Sequence, residues 1–329
     1  MSEVDFNQYG YVVIASLYGN ALLAIMGVGV HVFISVYSLS TLLSSPRGVM
    51  KARAPYIAVG LVIFVLYTLM AALDAYGVFS LMFGSASGQD ILAKGPTFDQ
   101  QWFRVMSTFM FLLAMFIGDG VMLYRCSVIW QDRRWVLIVP GLCYLASIGL
   151  GMRVGIPATY EEVATQRKIF SAFIFLSVLF NIMITSLICF RLLRARNIIT
   201  SVLGTRRHSL YTRAVVILIE AALPVAIFGL GEAVLLALPR GGNTWEMSAQ
   251  YISHMFFSGF YYLFATLSPQ MIIFRVATGR SWANTTDIGN STTISVESAS
   301  TLEKGFVPSL QSREKTRIDI TSASTTINA

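Results

Sequence analysis

Charged side chains are scarce in this chain: Asp, Glu, Lys and Arg make up 12% of its 329 residues. That is about half the share found in a soluble domain, and it excludes a water-facing surface wrapped around a single core. Cysteine occurs only as Cys126, Cys143 and Cys189, within or at one end of apolar runs, so no outer pair is available for a disulfide clamp. Histidine is limited to His31, His208 and His254. A zinc hydrolase needs about three protein ligands; His208 lies in a polar loop, and the other two fall on opposite sides of a membrane midplane. No Gly-rich phosphate loop and no Gly-x-Ser-x-Gly elbow occurs, and the last apolar run has no lysine for a retinal Schiff base. The expectation is a protein that is not an enzyme, with no catalytic residue, metal or cofactor. The first ten residues carry Glu3 and Asp5 but no Lys or Arg, unlike a signal peptide, so the first apolar run is expected to remain as an anchor.

What the chain has is apolar length. Hydrophobic residues reach 55% and mean hydropathy is +0.65. A bilayer core about 30 Å thick takes about 20 helical residues, because backbone polar groups find no water there and bond within a helix. Seven runs qualify, roughly 11–38, 55–83, 104–130, 135–152, 169–190, 214–238 and 250–274. Gln131, Asp132, Arg133 and Arg134 separate the third from the fourth. The fold class is therefore all-α, a polytopic membrane protein with a seven-transmembrane-helix bundle at 11–276, after a short N-terminal segment at 1–10. Residues 277–329 hold 19 Ser or Thr in 53 positions with few large apolar groups, which predicts a disordered tail.

Orientation follows the basic residues, which cytoplasmic segments retain. Arg47, Lys51, Arg53, Arg125, Arg133, Arg134, Arg191, Arg194, Arg196, Arg206, Arg207, Arg213, Arg275 and Arg280 fall on one side. Only Lys94, Arg104, Arg153, Arg167, Lys168 and Arg240 fall on the other, among seven acids. This places the N-terminus outside and the C-terminus in the cytoplasm. The formal charge of +7 is then drawn to an anionic inner leaflet and not to nucleic acid. The acceptor patterns Asn284-Thr285-Thr286 and Asn290-Ser291-Thr292 stay inert on this topology. The richest basic loop, around Arg194, Arg196, Arg206 and Arg207, has two readings: topology charge with lipid contact, or a surface that docks a cytoplasmic partner.

Six ionisable groups lie inside the spans, where each costs free energy and so points to function or pairing: His31, Asp74, Asp119, Glu220, Glu232 and His254. At about 1.5 Å per residue, Asp74, Glu232 and His254 fall roughly 9 to 12 Å above the midplane. They predict a ligand pocket that opens outward between the second, sixth and seventh spans, with Tyr76, Tyr251, Phe257, Tyr261 and Tyr262 around it; the alternative is local pairing that fixes helix packing. Arg125 and Glu220 share a depth on the inner side and predict an ion pair that switches, with Asp119 nearby; the alternative is Arg125 reaching out to lipid phosphate with Glu220 bonded locally. Pro140, Pro224 and Pro269 predict kinks, and Gly27, Gly29, Gly229 and Gly231 predict close helix approach.

The layout resembles a G-protein-coupled receptor. Where rhodopsin-like receptors carry Asp-Arg-Tyr, this chain reads Tyr124-Arg125-Cys126; where they carry Asn-Pro-x-x-Tyr, it reads Ser268-Pro269-Gln270-Met271-Ile272. A closer resemblance is to a large set of uncharacterised seven-span proteins of mushroom-forming fungi. It rests on GDGVMLYRCSVIWQDRRWVLIVPGL, NIMITSLICFRLLRAR, IEAAL around Glu220 and SPQMIIFRVATGRSW, and it implies a shared seven-helix fold with no settled activity. The expected function is a plasma-membrane protein that senses an extracellular small molecule or peptide and signals to a G protein or other partner through its basic third inner loop. The runner-up is a transporter that passes protons or a solute along Asp74, Asp119, Glu220 and Glu232.

Overall fold

The computed structural model describes residues 5–44, 47–156, 163–203, 208–239 and 243–277. The expected tail, and Arg206 and Arg207, lie outside the described residues. Eight α-helices are present among the described residues: α1 (Phe6–Leu43), α2 (Arg47–Gly84), α3 (Gly88–Asp99), α4 (Trp102–Ile129), α5 (Ile138–Gly155), α6 (Val163–Leu203), α7 (His208–Ala237) and α8 (Thr244–Ala277). A 3₁₀ turn, Arg134–Leu137, leads into α5.

This is an all-α polytopic membrane bundle. Six segments are long and apolar enough to cross a membrane: α1, α2 from Arg53, α4, the 3₁₀ turn with α5, α6 from Ala164 to Arg194, and α7 from Leu218. The seventh expected span corresponds to α8, which stands outside that set. Its hydropathy is diluted by Ser248, His254, Ser258, Thr266, Ser268 and Gln270, all of them buried, while Ile252 and Phe256 face outward. Such an inside-out stripe suits a helix in lipid, where apolar burial does not drive helices together and polar groups join them. Large apolar side chains such as Met26, Phe33 and Phe83 accordingly cover the outside of the bundle.

The central core is built from Tyr67 and Met70 of α2, Phe111, Leu112 and Met115 of α4, Phe173, Ile174 and Val178 of α6, Val225 of α7 and Tyr261 of α8. Three glycines admit close contacts between helices. A methyl group on Gly27 would overlap the Tyr67 hydroxyl, one on Gly229 would overlap Val178, and one on Gly231 would overlap Phe257. Gly29, expected to do the same, faces open space. Pro140 is the third residue of α5, in the first turn, where a proline is best tolerated. Pro224 and Pro269 are interior to α7 and α8, and the Pro269 ring packs on Gly118 of α4.

Helix α3 was not expected. Its Gly88, Gly95 and Pro96 are poor helix formers, but Ser87 caps it by accepting from the Asp90 N–H at 3.3 Å. Asp90 and Lys94 then pair at 2.8 Å one turn apart. Lys94 also donates to the Gly84 carbonyl at the end of α2. Asn7 of α1 accepts from the Gly88 N–H at 2.8 Å, and a methyl group on Gly10 would overlap the Gly88 carbonyl oxygen. Because that contact is backbone to backbone, no rotamer change relieves it. Gly10→Ala is expected to lift α3 off α1 and raise amide exchange in α3 at least about tenfold, leaving α6 unchanged.

Lys94 beside Asp90, together with the Ala86 N–H, holds the Asp90 carboxyl below the usual carboxylate range. A carboxyl depressed in the folded state stabilises above its unfolded pKa, about 3.9, and loses that contribution as pH falls through its folded value. Protection of α3 amides is thus expected to be constant from pH 7 to 5 and to fall below about pH 4. In Asp90→Asn the protection should be lower at pH 7 and lack this acid-side step.

Candidate functional site

The end of the bundle that holds the start of α1 also gathers the end of α2, the whole of α3 and the starts of α4, α6 and α8. The Asp5 N–H ties α1 to α8 through Thr244 Oγ1 at 2.8 Å. A cavity of about 490 Å³ opens there, and each of the eight helices contributes to its wall. Its size falls in the range of small-molecule sites, and its lining is mainly apolar with a few polar groups. Its floor is the central core, with Met115, Phe173 and Tyr261 packed beneath.

Asp74 of α2 is held by α4. Its Oδ1 accepts from Arg104 Nη1 at 2.5 Å and from Ser107 Oγ at 2.7 Å. The two charged side chains are 22% and 28% exposed, so the pair is largely withdrawn from solvent. The Arg104 guanidinium also lies over the Phe98 ring, 5.4 Å from its centroid, with Asp99 Oδ1 3.9 Å from Nε. The short Gln100–Gln101 turn between α3 and α4 makes this arrangement possible, since it brings Phe98 and Asp99 back over the first turn of α4.

Glu232 of α7 and His254 of α8 form the second pair, Oε2 to Nδ1 at 3.0 Å. Glu232 is fully buried, and the His254 ring lines the cavity. Asp74, Glu232 and His254, expected together from their depth, are thus brought to one level: Asp74 and His254 share the cavity wall, and Glu232 stands behind His254. Of the expected aromatics, Tyr251 and Tyr262 line the cavity. Tyr261 lies below it in the core, Phe257 packs on Gly231, and Tyr76 faces outward against Phe103.

Arg104 and Arg167 are the groups that sequence reasoning missed, having counted them only as topology charge. Arg167 Nη2 donates to the Leu236 and Leu238 carbonyls at 3.2 and 3.1 Å and so caps the end of α7. Its neighbour Gln166 bonds the Val154 and Ile156 carbonyls at 3.1 and 3.2 Å at the end of α5, and Arg153 at 3.0 Å. A signal for Arg104 was present: Arg104, Ser107, Thr108 and Phe111 follow the i, i+3, i+4, i+7 spacing of one helix face.

At the opposite end the expected Arg125–Glu220 ion pair is not formed. Glu220 is exposed on the outside of α7, and Arg125 lies over the Tyr56 ring, 5.3 Å from its centroid. Asp119 sits partly buried on α4 without an ion pair among the described residues. The turn that follows α4 is joined to α6 instead by Asp132 and Arg191 at 2.5 Å and by Trp130 Nε1, which donates to the Leu187 carbonyl at 3.3 Å. Arg194 is exposed; Arg196 continues α6, which extends the helix well past the apolar run. Cys126 and Cys189 are buried. Among the described residues, no three His, Cys, Asp or Glu side chains gather as metal ligands. No family model, curated protein or solved structure matches this chain.

Proposed function

We propose that the chain is a receptor-like plasma-membrane protein that crosses the bilayer seven times, with α8 as the seventh span, and senses an extracellular small molecule in the 490 Å³ cavity. The observation that carries this reading is the cavity itself, open at the end poor in basic residues and closed below by the central core. Several features support the finer parts. At 34 residues α8 is about 51 Å long, ample for a bilayer, and its polar residues face inward. The excess of Arg and Lys at the opposite end supports an outside N-terminus and cytoplasmic C-terminus. The packed core beneath the cavity favours sensing over passage of a solute, and the volume favours a small molecule over a peptide. Coupling would run through the basic segment that includes Arg194 and Arg196, with a G protein or another cytoplasmic partner. The fungal seven-span resemblance agrees with this architecture.

The test uses the full chain in nanodiscs with a heterotrimeric G protein and fractionated small-molecule mixtures. Ligand binding that weakens on adding guanine nucleotide is the expected result. Accumulation of the same ligand inside proteoliposomes under a pH gradient would overturn it in favour of a transporter. A glycan on Asn284 or Asn290 in cells would overturn the orientation.

A further inference from the structure

We infer that the cavity takes an uncharged amphiphile, a mainly apolar molecule whose hydroxyl bonds to His254 Nε2. This inference rests on the reading of the cavity as a ligand site and names its ligand class.

The buried charges around the cavity are already engaged, while Asp99 stands at the rim with its side chain 74% exposed, 3.9 Å from Arg104 Nε. Asp74 is matched by Arg104 and Ser107, Arg167 caps the α7 carbonyls, and Glu232 is matched by His254. Beside His254 a carboxylate or ammonium on the ligand would be largely desolvated and would have to break one of these pairs, or reach away to Asp99 at the rim or to Arg167, to meet an opposite charge. An apolar body meets no such penalty, because most of the lining is apolar, with Phe111 and Phe170 on facing helices.

His254 is a wall group with unused hydrogen-bonding capacity, and other polar wall groups such as Asn20, Thr108 and Tyr262 stand around the same cavity. His254 Nδ1 is committed to Glu232, and its Nε2 has no hydrogen-bond partner among the described residues. The ring itself lines the cavity. With Nδ1–H donated to the Glu232 carboxylate, Nε2 is an acceptor. A hydroxyl donates to it, and would equally accept from it were the ring protonated.

The experiment compares four probes with one body and different heads: 4-phenylbutan-1-ol, 1-fluoro-4-phenylbutane, 4-phenylbutanoate and 4-phenylbutylammonium. Binding to the full chain in nanodiscs is read by ligand-observed NMR against empty nanodiscs, which subtracts partition into lipid. The alcohol is expected to bind at least about fivefold tighter than the other three. His254→Phe should reduce the alcohol to the level of the fluoride while fluoride binding stays within about twofold. Where that variant does not fold, Glu232→Leu with His254→Phe carries the same comparison without an orphaned carboxylate. The inference is overturned if the acid or the amine binds as well as the alcohol, or if the alcohol keeps its advantage without His254; in either case the cavity remains a ligand site. If none of the four binds, the cavity reading fails and takes this inference with it.

Discussion

Arg104→Ala is expected to lower the stability of the purified protein by about 3 kcal/mol, read as a fall in unfolding midpoint in detergent or nanodiscs. The loss comes less from the missing guanidinium than from Asp74, which keeps only the Ser107 hydroxyl as partner while remaining 22% exposed. The partial exposure holds the figure at the lower end of what breaking a buried pair costs, about 3–5 kcal/mol. The control is the pair: Asp74→Leu with Arg104→Leu removes both charges, and its stability should lie within about 1 kcal/mol of the parent because no ion is stranded. Arg104→Lys keeps the charge but gives up the planar fork and the contact over Phe98, so it should fall between the two. If the double variant is as unstable as the sum of the single ones, Asp74 and Arg104 act independently and their pairing carries no energy.

Level along the bundle was legible from the sequence, and direction around each helix was not. The rise per residue is a constant of the α-helix, so residue counting placed Asp74, Glu232 and His254 at one level, where two of them touch and the third shares a wall. The same counting placed Arg125 and Glu220 at one level, yet Glu220 faces outward, because which face a residue occupies depends on the neighbouring helices. Arg104 was hidden for a related reason. A basic residue at the start of an apolar run reads as a topology charge unless its helix face is known to point at an acid. Helix α3 was hidden differently: Gly88 and Gly95 are poor helix formers, and one reason for glycine at position 88 is the backbone contact with Gly10, 78 positions away in the chain. The seven runs expected and the six segments long and apolar enough to cross a membrane differ at α8, whose inward polar stripe lowers its hydropathy.

The Glu232–His254 pair should show the larger stability effect and a separate chemical one. His254→Ala leaves a carboxylate with no exposure and no partner, so the expected loss is about 4–5 kcal/mol, more than for Arg104→Ala, and is read from the unfolding midpoint and the yield of folded protein. Glu232→Gln is the informative contrast. An amide retains a hydrogen bond to the ring and removes the buried charge, so stability should change by only about 1 kcal/mol. The amide can also donate to Nδ1, which the carboxylate cannot, and the ring is then released from the tautomer that makes Nε2 an acceptor. Nitrogen chemical shifts of the imidazole report this directly, and with only three histidines in the chain the His254 signals are assigned by single substitution. The parent should show Nδ1 protonated, and Glu232→Gln should show a mixture or the reverse. An unchanged tautomer together with a large stability loss would mean that the carboxylate holds α7 against α8 and does not set the state of the ring that faces the cavity.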